Sequence, residues 1–500
     1  MIKNIKKHFH KIIFLAIIFL AFIVRLYKID NPVADWHSWR QADTSAVTRN
    51  FTKFGFNLLY PRYDDLSNIA SGKDNPQGYR FVEFPLYNSL TFLLHNVFTQ
   101  ISLSMEVWGR LVSIFASLAS TYFLYLICKK FLNTKVALLS AFFFSFLPYN
   151  VFYSRTILPE SLMVSAGLAM IWFFVKWTEQ SEVSPPTVAP RSGDSSDGGT
   201  KRVNYFLALF SAAIALLLKP FAGFLFIPLI YLIWKKDGFK GFFKPLVVLF
   251  FSCSIIPFFL WRFWIARFPE GVPAWQWLLN GDGIRFKGAF FYWLFGERLG
   301  KLILGYWGLP LLFLGIITKI KKENLFFHWW GMAMLVYISV VATGNVKHDY
   351  YQIIIIPIIC IFLAKGAYFL LNEGKKIFNS VFSFSLLVFS FLFMFAFSWH
   401  EIRTFYWINK PEIVKVGQIA DQVLPKNAKV ITPYGGDTAF LYQINRQGWP
   451  IGFEIEDKIE KGATHYVSLY PENWEEKDLA KKHNVLEKTE KYIIIEFVKE

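Results

Sequence analysis

A carboxylate, a guanidinium, an imidazole and two indoles fall within Trp36-His37-Ser38-Trp39-Arg40-Gln41-Ala42-Asp43, a few residues after an apolar segment ends. At helical spacing Trp36, Arg40 and Asp43 lie on neighbouring faces, as do Trp39 and Asp43, so cation, acid and aromatic surface can converge on one ligand. The combination suits a charged, sugar-bearing lipid. The same residues also suit an interfacial helix with indoles at headgroup level and charges facing water. Asp43 is the first candidate for a general base, because transfer to a hydroxyl requires removal of its proton. Its structural alternative is a salt bridge to Arg40 or Arg49. Asp35 is the second candidate, though its place before Trp36 also suits a helix cap. Glu83 is the third; it sits two residues before Pro85 at a helix start, where the helix dipole also favours an acid.

Groups able to hold a phosphate or sugar are spread further along the chain. His37 and Arg40 belong to the first cluster. Arg155 and Glu160 flank the outer end of an apolar segment, with capping and snorkelling as the plainer reading. Lys219-Pro220 is a short turn between two apolar segments, where a lysine needs a partner and a phosphate would serve. Lys347-His348-Asp349-Tyr350-Tyr351 gathers cation, imidazole and phenols, a cradle suited to a phosphate leaving group. Cys128, Cys253 and Cys360 show no metal-ligand spacing and imply no disulfide framework.

These residues must be positioned by membrane helices. Of 500 residues 54% are hydrophobic, an apolar share above that of an ordinary soluble chain, so the reading is a polytopic α-helical membrane protein. The net charge of +17 does not point to nucleic acid, because the basic residues cluster in short runs between apolar segments, where they set topology. About eleven spans are expected, near 11–27, 107–128, 136–153, 160–177, 204–218, 221–235, 244–263, 301–319, 325–343, 351–371 and 377–398. The first reads as a retained span, since no small-residue cleavage site follows it. Pro85–Leu103 is ambiguous. If it does not cross, Lys129-Lys130, Lys201-Arg202, Lys235-Lys236, Lys321-Lys322 and Lys375-Lys376 all share the side of the basic N-terminus, which makes it an interfacial or re-entrant helix.

The N-terminus is then cytoplasmic. The outer face carries the first loop 28–106, the turn 153–160, Lys219-Pro220, the loop 264–300, Asn345–Gln352 and the C-terminal hundred residues. Residues 178–203 read as a flexible cytoplasmic linker rich in Ser, Pro and Gly. The division expected is a transmembrane domain over 1–399 and an extracytoplasmic α/β domain over 400–500. Its strands are expected at Ala428–Thr432, His465–Leu469 and Tyr492–Phe497, and its helices near Glu412–Val423 and Leu479–Asn484. Gly435-Gly436-Asp437 reads as a strand-to-helix turn with Asp437 as cap.

Together the pieces resemble the GT-C superfamily of integral-membrane glycosyltransferases, specifically the family 39 and protein-mannosyltransferase-like group that includes the aminoarabinose lipid A transferase. The resemblance lies in His37–Thr44 continuing to Arg49-Asn50-Phe51, Glu83-Phe84-Pro85-Leu86-Tyr87, Trp108-Gly109-Arg110-Leu111, Leu158-Pro159-Glu160-Ser161, Lys219-Pro220 and Lys347–Tyr351, over about the first 400 residues. The better-known members carry an Asp-Glu pair at the position of His37-Ser38, so here the base role passes to Asp43 or Asp35. The resemblance implies transfer of a sugar from a polyprenyl-phosphate carrier to a lipid, glycan or protein hydroxyl outside a bacterial inner membrane, with inversion. Arg40, Lys219, Lys347 and His348 would take up the charge of the leaving phosphate, and a divalent metal is left open. Membrane lipids are expected partners and nucleic acid is not. The alternatives are a transporter or flippase of lipid-linked saccharides and a non-catalytic membrane subunit. The spans are nearly free of acids and the charges crowd the outer loops, which favours surface chemistry.

Overall fold

The computed structural model describes residues 2–179, 195–320 and 324–498; Lys321-Lys322 and residues 180–194 of the expected linker lie outside the described residues. The chain opens with α1 (Ile2–Arg25), α2 (Ser38–Phe54) and α3 (Leu86–Val97), followed by α4 (Met105–Phe131), α5 (Thr134–Phe146), α6 (Pro148–Tyr153), α7 (Glu160–Glu179) and α8 (Ser195–Leu218). The end of the expected linker, 195–203, is thus already helical.

Six described stretches are long and apolar enough to cross a bilayer: α4, α7, Gly199–Leu218 within α8, Pro245–Ile265, Asp349–Asn372 and the start of Ser380–Val423. Each of the other expected spans also holds a helix, but Phe226–Asp237 has 12 residues and Leu309–Ile317 has 9, so the apolar runs there are longer than the helices within them. The ambiguous piece forms α3, a helix of only 12 residues, about 18 Å of rise.

Three buried arginines tie the chain together near the end of α1, and two of them, Arg110 and Arg155, grip the start of the first loop. Arg25 donates to Ser154 Oγ at 2.6 Å and to the Ser145 carbonyl at 2.8 Å. Arg110 donates to the carbonyls of Ile29 and Asn31 at 2.7 and 2.6 Å, and Arg155 to that of Lys28 at 2.5 Å. The carbonyls of Ile29 and Asn31 are thereby satisfied, and α2 starts from a fixed point.

The C-terminal residues build a five-stranded sheet in the order β2-β1-β3-β5-β4, with β1 (Lys429–Ile431), β2 (Gln447–Trp449), β3 (His465–Ser468), β4 (Asn484–Lys488) and β5 (Ile493–Glu496). β1 runs parallel to β2 and β3, while β5 is antiparallel to β3 and β4. The expected strands are present, and β2, of three residues, and β4, of five, are additional.

The first loop covers the β2 edge. Leu66 N–H donates to the Gly448 carbonyl at 2.8 Å, and Gly448 N–H donates to the Asp64 carbonyl at 2.9 Å. Glycine is required at 448, because a Cβ there would lie 1.8 Å from the Val430 carbonyl oxygen. Pairing with the loop leaves that edge no free backbone groups at Gly448.

Candidate active site

The polar helix α2 does not lie on the surface. Arg40, Gln41, Asp43, Thr44, Ser45, Thr48 and Asn50 are all buried, so its charges find partners inside the protein and not in water. His37 opens it in a left-handed conformation, φ 57°. Trp36 stands outside the helix, with its ring stacked on Phe405 at 4.6 Å, so it does not share a helical face with Arg40 and Asp43.

Asp43 is 4% exposed and held at both oxygens. Oδ2 pairs with Arg80 Nη2 at 2.6 Å, and Oδ1 accepts from Thr438 Oγ1 at 2.7 Å. Neither Arg40 nor Arg49 is its direct partner. Arg40 binds both oxygens of Glu83, at 2.8 and 2.9 Å, and Arg49 pairs with Asp64. Arg80 came from the same stretch as Glu83; its role was invisible because residue spacing says nothing about which loop residue folds back onto α2.

A cavity of about 1020 Å³ opens against this group. Of the candidates, Asp43, Arg40, Lys219, His348 and Tyr350 line it, together with Trp39, Arg80 and Arg262; Phe221, Trp275 and Trp277 give it apolar walls. Lys219 Nζ pairs with Glu160 Oε1 at 2.9 Å, and Glu160 Oε2 has no hydrogen-bond partner among the described residues. The Tyr350 ring is buried and sits edge-on to His37, 5.2 Å away.

The remaining candidates support the cavity without lining it. Asp35 accepts from Arg155 at 2.6 Å and Gln41 at 2.7 Å, and is 3% exposed. Glu83 and Glu160 lie behind Arg40 and Lys219. His37 contacts Asp349, which also accepts from Trp36 Nε1 at 3.1 Å and Tyr153 OH at 2.6 Å. Lys347 is at the rim: 54% exposed, it is 5.5 Å from the centre of the Trp277 ring and 4.0 Å from Asp282. Burial lowers the pKa of His348 to about 4, so its imidazole is neutral at pH 7 and offers a hydrogen bond instead of the expected positive charge.

Two cavity acids were missed as site residues. Burial raises the carboxyls of Asp65 and Asp437 to about 6, with the nearby Asp43 charge adding to the effect. Asp437 is the turn acid seen in the sequence, and its Oδ1 does accept from Ala439 N–H at 2.7 Å. Among the described residues no group of three or more His, Cys, Asp or Glu could hold a metal ion. Toward a phosphate the cavity presents the cations of Arg40 and Lys219.

Of solved structures, ArnT from Cupriavidus metallidurans bound to undecaprenyl phosphate superimposes with a TM-score of 0.65 at 12% identity, covering 98% of both chains. The chain has the fold of ArnT. A second structure, the oligosaccharyltransferase AglB from Archaeoglobus fulgidus in complex with an inhibitory peptide and a dolichol-phosphate, matches at a TM-score of 0.60 and 9% identity, over 96% of this chain and 73% of that one. A family model described as dolichyl-phosphate-mannose-protein mannosyltransferase matches residues 89–185. No curated protein matches the sequence. The matched residues run from within α3 through α7, whereas Asp43, Arg80, Lys219 and Thr438 lie outside them.

Proposed function

We propose that the chain is an inverting glycosyltransferase that moves a sugar from a polyprenyl-phosphate carrier to an acceptor hydroxyl on the outer face of a bacterial inner membrane. The N-terminus is cytoplasmic and the C-terminal domain lies outside. The observation that carries this reading is one cavity lined by a buried, doubly held carboxylate, Asp43, and by the cations Arg40 and Lys219. The GT-C fold supports it, as does the lipid phosphate bound in each of the two matched structures.

In this reading Asp43 takes the proton of the acceptor hydroxyl as its oxygen attacks the anomeric carbon. The bond from that carbon to the phosphate oxygen breaks, and the carrier departs as a phosphate monoester with one additional negative charge. Single displacement from the opposite face inverts the centre. Arg40 and Lys219 receive the new charge. A guanidinium has five N–H donors and an ammonium three, so each retains donors beyond those given to Glu83 and Glu160. The aromatic walls suit the faces of a sugar ring and the first isoprene units.

The test is transfer from a panel of radiolabelled polyprenyl-phosphate monosaccharides by the purified protein in lipid, comparing wild type with Asp43→Asn and Lys219→Ala. Wild type transfers label from at least one donor, and Asp43→Asn is slower by about 10²–10⁴-fold while still binding polyprenyl phosphate. Undiminished turnover in Asp43→Asn would remove it as base. Lipid flipping without transfer in the wild type would replace the enzyme with a flippase.

A further inference from the structure

One side chain of the C-terminal domain reaches the candidate base. Thr438 ends the turn Gly435-Gly436-Asp437, just before helix Ala439–Ile444. Gly435 and Gly436 have φ of +63° and +82°, a region costly for other residues, and they let the chain double back at the cavity wall. The Thr438 hydroxyl is 2.7 Å from Asp43 Oδ1 and 3.2 Å from the Trp39 carbonyl oxygen. Both neighbours are acceptors and a hydroxyl has one proton, so it is given to the nearer, charged oxygen.

The contact is held from several sides. Arg49 on α2 donates to the Tyr442 carbonyl at 2.9 Å and lies 4.1 Å from the centre of its ring. Tyr442 OH donates to Glu106 at 2.5 Å, and Gln443 Nε2 donates to the Val33 carbonyl at 3.0 Å. With the first loop paired to β2, the turn cannot drift from α2 without breaking these bonds.

A carboxylate plane turns about a soft, two-fold torsion, so one partner does not orient it. Arg80 alone would let Asp43 swing to a bidentate pair. Thr438 on the other oxygen fixes the plane. The other charged groups facing this carboxylate are Asp65 and Asp437 on the cavity wall and Arg40 one turn back on α2.

We infer that Thr438 is a positioning residue for the transfer, and that the C-terminal domain thereby completes the active site instead of standing beside it as a separate module. The inference rests on the reading of Asp43 as the base. A misplacement of the base by about 1 Å costs about 10²-fold in rate, so Thr438→Val lowers kcat by about 10–100-fold and leaves KM for the lipid donor unchanged. Thr438→Ser keeps the hydroxyl and restores kcat.

The experiment uses the full chain in lipid nanodiscs. It measures kcat and KM for both variants, together with the infrared carboxylate band of Asp43 identified by difference against Asp43→Asn. The band moves in Thr438→Val and stays in Thr438→Ser. Equal impairment of the two variants, or a band and kcat unmoved in Thr438→Val, overturns the inference. A wild type that transfers no sugar counts against the proposed function instead, and the infrared band then decides Thr438 by itself.

Discussion

Glu83 was read from the sequence as a candidate base, and the structure turns it into a sharper test of how the cavity is wired. Its carboxylate meets Arg40 bidentately at 2.8 and 2.9 Å, with side-chain exposures of 9% and 4%. Removing one member of a buried pair leaves the other charge uncompensated, at a cost of about 3–5 kcal/mol. Glu83→Leu should therefore destabilise by that amount. Arg40→Met with Glu83→Leu removes both charges at similar volume, and that exchange is close to neutral. The cycle should show coupling of about 3 kcal/mol or more, read from denaturant unfolding in detergent. Transfer distinguishes the roles: the double variant is stable but slow, because Arg40 lines the cavity. If Glu83→Leu unfolds like wild type, or the double variant is as unstable as the single one, the pairing argument is wrong. A stable Glu83→Leu that has lost only turnover would make Glu83 chemical.

Burial holds the Asp65 carboxyl near pH 6, above its ordinary 3.8, so the folded protein binds that proton more tightly than the unfolded chain does. Its contribution, about 3 kcal/mol, is full below about pH 4 and lost as pH rises through 6. Unfolding midpoints between pH 4 and 7.5 should therefore fall more steeply in wild type than in Asp65→Asn; parallel curves would refute the assignment. Asp35→Asn breaks a pair at 2.6 Å with side-chain exposures of 0% and 1%, so it should cost about 3–5 kcal/mol of stability while the folded fraction keeps its kcat. A folded, normally stable Asp35→Asn without transfer would move the base there.

Much of the fold was legible because apolar runs and basic clusters are local signals. The shortness of α3, the helical cores of the spans and three of five strands follow from length, charge and alternation. β2 and β4 were missed for different physical reasons. β2 has three residues, Gln447-Gly448-Trp449, with glycine at its centre, and forms only because β1 and the first loop flank it. β4 is mostly exposed and is specified by pairing with β5. Within the site, residue type picked out Asp43, Arg40, Lys219 and Tyr350, all of which line the cavity. It could not pair them. Arg80 and Thr438 reach Asp43 on α2 across separations of 37 and 395 residues, and only burial tells that His348 is neutral.

The pairing has a logic that single residues do not show. Each of Arg40, Lys219 and Arg80 faces the cavity and is matched by an acid from another segment: Glu83, Glu160 and Asp43. A buried cation without such an acid would cost several kcal/mol or lose its charge. With it the cation stays charged, and an anion entering the cavity meets donors already oriented and stripped of water. Two of the three acids stand behind their cations, away from the cavity. Of the three, Asp43 alone lines it, so only that ion pair presents its acid to a ligand in the cavity, which is what the proposed reaction asks of a base.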